Sequence, residues 1–91
     1  MSLIERIRKK IREKDYYLSS HAEEEMVDDD FERNDVENAI LRGIIEKKMT
    51  HDIRGTRYRI EGPSHDGRSL HALVRFTDLG PLIIITVYEK E

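Results

Sequence analysis

The feature that most constrains this chain is a change of hydrophobic period near Gly43. Before it, apolar residues recur at intervals of three and four; after it they alternate every second residue. A 3.6-residue period places one stripe of a helix on a core, and a two-residue period places one face of a strand there. Helices followed by strands, without regular alternation of the two, indicate an α+β fold with helices packed on one face of a mainly antiparallel sheet.

Three helices are expected before the change. In SLIERIRKKIREK, residues Leu3, Ile4, Ile7 and Ile11 form one apolar face, with Ser2 as cap and Arg8, Lys9 and Arg12 on the basic side. YYLSS (16 to 20) reads as a short extended link ending in a serine cap, and HAEEEMVDDD as a short helix burying Ala22, Met26 and Val27. Acidic residues in its first turn complement the helix dipole, which gives Glu23, Glu24 and Glu25 an ordinary structural role. Asn34 with Glu37 predicts a capping box opening DVENAILRG, stopped by Gly43.

Four strands are expected after it: IIEKKMT (44 to 50), TRYRIEG (56 to 62), SLHALVRF (69 to 76) and PLIIITVYE (81 to 89). Asp66-Gly67 predicts a hairpin between the second and third of these, and Gly80-Pro81 another antiparallel return. The 91 residues, without repeat or linker, suit one domain, with helices over about 2–42 and sheet over about 44–89.

Composition removes several function classes. The absence of cysteine excludes disulfides, thiolate metal sites and a Cys nucleophile, and it makes a reducing cytoplasm the simplest home. The longest apolar run, PLIIITVY, is far below the ~20 residues of a membrane-spanning helix, so no membrane association is expected. No export signal is read at the N-terminus. A net charge of −3 conceals segregation: residues 1–20 carry six Lys/Arg against three Asp/Glu, 21–37 one against nine, and 38–88 eight against five. The molecule is expected to be bipolar.

If each strand turns its apolar set inward, one open face collects Arg57, Arg59, His71, Arg75, Thr86 and Tyr88, opposite an inward set that includes Ile83, Ile85 and Val87. These groups suit a phosphodiester. Guanidinium forks match phosphate oxygens, and an imidazole moves protons near neutral pH. A metal-independent endoribonuclease needs a base, a cation and an acid, for which His71, His21 and Tyr88 are the catalytic candidates. Arg57, Arg59, Arg75 and Thr86 are the substrate-binding candidates. One polar face is equally ordinary for an antiparallel sheet.

No metal or other cofactor is expected. His21 with Glu24 or Glu25 supplies two ligands, and no HExxH or calcium-loop spacing fixes a third among His71, His51-Asp52 and His65-Asp66. Nucleophile-elbow and Gly-rich phosphate motifs are absent.

The succession SSHAEEEM, NDVENAILRGIIE, RYRIEG, DGRSLHALVRF and IIITVYE resembles the domain-of-unknown-function 4258 family over nearly everything after residue 16. That family is similar to RelE-type ribonuclease toxins in its helices-then-sheet arrangement. The resemblance implies a toxin-like RNA-directed protein with RNA and an antitoxin as partners. It marks His21, Gly62, His71, Thr86 and Tyr88 as motif positions, Gly62 serving a bend or unusual backbone angle. Glu25 and Asp29 stand where many members carry Arg, which opposes phosphate binding near His21. Glu25 is instead expected to keep His21 charged or to tie the helix to an arginine of the sheet. The alternative function is a non-catalytic protein-interaction module or homodimer that uses the acidic helix and the sheet.

Overall fold

A computed structural model describes residues 1–91. The elements run α1 (Leu3–Arg12), β1 (Tyr16–Leu18), α2 (Ser20–Asp28), α3 (Arg33–Arg42), β2 (Ile44–Met49), β3 (Arg57–Pro63), β4 (Ser69–Phe76) and β5 (Leu82–Glu89). The α+β class is as expected, but the sheet has five strands in the order β1-β5-β4-β3-β2 and is mixed. YYL, expected as a link, is a strand parallel to β5, with Tyr16 opposite Leu82 and Leu18 opposite Ile84. The remaining pairings are antiparallel.

Local chemistry sets the helix starts. Ser2 Oγ accepts from Glu5 N–H at 3.3 Å, and Ser19 Oγ accepts from Ala22 N–H at 3.0 Å. The third start is two residues earlier than Asn34 and Glu37 suggest: Glu32 is the cap, and its N–H donates to Asp35 at 2.8 Å. Asp35 wins because its other oxygen accepts from His65 N–H at 2.9 Å, so one carboxylate ties α3 to the β3–β4 turn. Arg68, in that turn, donates to the Asp29 and Asp30 carbonyls beyond α2 at 2.7 and 2.8 Å and lies over the Phe31 ring.

All three helices cover one face of the sheet. The core joins Ile7 and Ile11 of α1, Ala22 and Met26 of α2, and Val36, Ala39 and Ile40 of α3 to Ile60, Leu70, Ala72, Val74, Leu82, Ile84 and Val87. Each fully buried branched side chain contributes about 1.5–3 kcal/mol. Val27, expected inside, is exposed because Ala22 and Met26 already fill the line that faces the sheet. At Gly62 a Cβ would lie 2.1 Å from the Ala39 carbonyl oxygen, so α3 approaches β3 more closely than any side chain permits. Its requirement is close approach and not the unusual backbone angle expected.

Two bulges adjust the faces. Ile85 is an extra residue between the Thr86–Leu73 and Ile84–Val74 pairs, and it reverses the parity of β5. Leu82, Ile84 and Val87 therefore point into the core, while Ile83 joins Thr86 and Tyr88 on the open face, contrary to the inward set expected. Glu46 is the second extra residue, between Ile45 and Lys47 of β2.

Candidate functional site

The register arranges the open face in three cross-strand rows. Tyr88, His71 and Glu61 are direct neighbours across β5, β4 and β3. Thr86, Leu73, Arg59 and Lys47 form the next row, two residues along. Ile83 and Arg75 lie in the third, on the same face as Arg57 and Met49. Arg57, Arg59, His71, Arg75, Thr86 and Tyr88 thus share one face, as alternation predicts, because directly opposed residues project to the same side.

The first row is hydrogen-bonded from end to end. His71 is only 8% exposed, with Nε2 3.0 Å from Glu61 Oε1 and Nδ1 3.2 Å from the Tyr88 hydroxyl. The Glu61 carboxyl is held below the usual range by the bond from His71 and then by Lys90, so it is an acceptor. With Glu61 as acceptor, the neutral form of the imidazole carries its proton on Nε2 and turns the Nδ1 lone pair to the Tyr88 O–H. The two rings meet edge to face, their centroids 5.3 Å apart.

Arg59 extends this chain. Its Nη1 lies 3.5 Å from the Tyr88 oxygen, while Nε and Nη2 grip the two oxygens of Glu46. The Glu46 bonds, then the Tyr88 bond, raise the guanidinium further above its ordinary range. Glu46 is lowered by the same contact. Arg59, His71, Tyr88, Glu89, Lys90 and Glu91 line a shallow depression of about 430 Å³ over this end of the sheet.

Not every candidate joins the chain. Thr86 lies beside Leu73, outside the hydrogen bonds, and Arg57 faces Asp52 with Nε 3.1 Å from Oδ2 at an angle too poor for a hydrogen bond. Arg75 has no carboxylate partner. His21 belongs elsewhere: it lies exposed on α2, with its Nε2 3.2 Å from Glu25 Oε1. No group of three or more His, Asp or Glu gathers to hold a metal.

Glu25 reaches no arginine. Its Oε1 accepts from Val87 N–H at 3.1 Å, and Asp29 Oδ2 accepts from Glu89 N–H at 2.9 Å. Four residues of α2 rise about 6 Å and two of β5 about 6.7 Å, so carboxylates at i and i+4 match alternate strand amides. β1 covers only the first part of this edge, and Ser19 closes the junction by donating to the Ile85 carbonyl at 2.7 Å. Acids at these positions thus have a backbone task that a guanidinium, which only donates, cannot perform.

Glu61 and Glu46 are the members that alternation alone missed. Glu61 had a readable signal: with Asp66 at the centre of the hairpin, Glu61 and His71 lie equally far from it and must face each other. Glu46 had none, because its place depends on the bulge.

No helix is long and apolar enough to cross a membrane. No curated protein and no solved structure matches the chain. The family model described as a domain of unknown function (DUF4258) matches residues 18–89, from the end of β1 through the last strand, and the chain belongs to that family.

Proposed function

We propose that the open face acts on RNA as a toxin-like, metal-independent endoribonuclease, with Tyr88 as the group that meets substrate and His71 and Glu61 as its relay. The observation that carries this reading is the continuous chain from Glu61 through buried His71 to the Tyr88 hydroxyl, with the Arg59 guanidinium beside that oxygen. His71 acts through Tyr88, since the tyrosine and the glutamate occupy both ring nitrogens.

The chemistry balances with these groups. As the ribose 2′-oxygen attacks phosphorus, its proton passes to the Tyr88 oxygen while the Tyr88 proton moves to His71 Nδ1, and Glu61 stabilises the imidazolium. The P–O5′ bond breaks, and the proton returns by the same path to the leaving oxygen. The products are a 2′,3′-cyclic phosphate and a 5′-hydroxyl. Arg59 faces the charge that develops during attack. The resemblance to RelE-type toxins expected from the sequence points to the same class, and with it to a protein antitoxin as partner.

The test is cleavage of labelled single-stranded RNAs in excess chelator. Wild type is expected to leave cyclic-phosphate ends, and Tyr88→Phe and His71→Ala to lose about a hundredfold or more in rate. Intact RNA with wild type, or full activity in Tyr88→Phe, defeats the reading.

A second reading, a protein-interaction module or homodimer, is favoured by a separate observation. Arg57 and Arg59 already face carboxylates, and Leu3, Ile4, Ile44 and Ile45 line an apolar groove of about 390 Å³ on another side of the molecule. Harmless expression, a defined stoichiometric partner and no cleavage would select it.

A further inference from the structure

Beyond the first row, the open face carries a charge surplus that proton transfer does not use. From Lys47 to Arg59 the open face and the turn beside it carry Lys47 and three arginines against one carboxylate, Asp52, Lys48 being paired with Tyr58 on the other face. Asp52 accepts from Arg54 N–H at 2.8 Å and lies 3.1 Å from Arg57 Nε. That backbone bond, followed by the charges of Arg57, Arg75 and Arg54, holds its carboxyl below the usual range. One ionised carboxylate is thus surrounded by three guanidiniums. Glu46, the nearest other acid in sequence, is already gripped by Arg59.

Lys47, Arg54 and Arg75 are left with no carboxylate within ion-pair distance. Lys47 stands opposite Arg59 in the second row, Arg75 lies in the third, and Arg54 lies in the turn joining β2 to β3. Like charges crowded in this way repel each other, and a polyanion relieves the repulsion while releasing its counterions. At the opposite edge of the sheet, exposed Glu23, Glu24 and Asp28 on α2 repel the same ligand, so charge selects both the edge and the direction of approach.

We propose that Lys47, Arg54 and Arg75 form a phosphate track that carries single-stranded RNA from the β2–β3 turn across the open face to Tyr88. The track rests on the RNA reading of the site and adds the route by which substrate reaches it. Arg75 and His71 are four residues apart on β4, about 13 Å at ~3.3 Å per residue, so the track spans only a few nucleotides. Ile53, 99% exposed at the tip, and half-buried Met49 beside Arg57 offer apolar surface. Unpaired bases can cover such surface; the stacked bases of a duplex cannot.

The experiment is fluorescence anisotropy with a labelled 2′-O-methyl single-stranded oligonucleotide, which cannot be cleaved, across a salt series. The proteins are wild type, Lys47→Glu/Arg54→Glu, Arg75→Glu, and Lys9→Glu/Arg12→Glu as a control on α1. The Lys47/Arg54 reversal is expected to weaken binding tenfold or more and to reduce the salt slope by about 1.4, at ~0.7 per single-strand phosphate contact. Arg75→Glu should weaken it by a smaller factor, while the α1 control binds like wild type. Circular dichroism melts confirm that each variant is folded.

Absence of salt-sensitive binding by wild type overturns the track, as does unchanged affinity in the folded Lys47/Arg54 reversal. Equal loss in the α1 control overturns it too, because it reveals general charge attraction. Binding lost in the track variants, with unmodified RNA left uncut by wild type, upholds the track and removes the ribonuclease reading. Cleavage that persists while the folded track variants bind normally upholds the ribonuclease and removes the track.

Discussion

The two edges of the sheet solve the same problem with opposite charges. A strand edge exposes N–H and C=O groups that invite another strand. At the β5 edge, β1 pairs with the first three residues, and Glu25 of α2 and Asp29, which caps its C-terminus, then accept from Val87 and Glu89. At the β2 edge no element covers the strand, which instead carries the Glu46 bulge and the neighbouring Lys47 and Lys48. The acidic edge uses charge inside the fold, whereas the basic edge leaves it available. On the proposed track an incoming anion is directed to β2, and the acidic composition of residues 21–37 reflects, in part, how the opposite edge is closed.

The strongest way to break this contrast is to remove both carboxylates. Glu25→Ala/Asp29→Ala leaves two strand amides without their acceptors, each worth about 1–3 kcal/mol where water cannot replace it. The expected loss is about 3 kcal/mol in urea unfolding, with faster hydrogen exchange at Val87 and Glu89 and little change in β2. Unchanged exchange at those two amides would mean that solvent, and not α2, satisfies the edge.

This edge was also the least legible part of the sequence. The change of period, the Ser2 and Ser19 caps, the Asp66-Gly67 turn and the shared face of His71 and Tyr88 all depend on local spacing. The β1–β5 pairing joins residues 16–18 to 82–84, and three residues carry no periodicity that would reveal it. Likewise, the Ile85 bulge reverses parity within a run of four apolar residues, where alternation gives no warning. For the candidate site, strand parity located six residues on one face, but the carboxylates that complete it required the cross-strand register.

Titrating Tyr16 sharpens the comparison from the β1 side. Its hydroxyl donates to Glu37 of α3 and accepts from Arg33 at 3.3 Å, anchoring the short strand. Burial, followed by the bond to Glu37, pushes the Tyr16 pKa up from 10.0 to about 12. The unfolded chain releases this proton first, so the contribution is complete below pH 10 and is lost as pH rises from 10 to 12. The expected alkaline loss is about 2–3 kcal/mol, and Tyr16→Phe should flatten that limb of the stability profile. Glu37 behaves in the opposite sense. Burial works against its charge, but bonds from Lys14 and Tyr16 prevail and hold its carboxyl below the ordinary value. Its contribution is present above the unfolded pKa and disappears as pH falls through the folded one.

A smaller effect separates hydrogen bonding from charge at the acidic edge. Glu25→Gln keeps an oxygen able to accept from Val87 N–H and removes the carboxylate charge that faces exposed His21. The expected cost is below about 1 kcal/mol, with Val87 still protected from exchange. If Glu25→Gln exposes Val87 as fully as Glu25→Ala, the ionised carboxylate is essential to the edge.

The smallest effect on stability belongs to the basic edge and has the largest consequence for association. Lys47→Ser/Lys48→Ser removes two exposed side chains without ion-pair partners, so unfolding should change by no more than about 0.5 kcal/mol. The same change leaves β2 with an unpaired backbone edge guarded only by the bulge at Glu46. Sedimentation at increasing concentration should then reveal self-association that wild type lacks. A monomeric variant would assign protection of this edge to the bulge alone. Wild type that associates as readily as the variant would make β2 a natural pairing edge and shift the balance towards the homodimer. Either result also bears on the RNA track, because Lys47 cannot both line an interface between copies and remain free to hold phosphate.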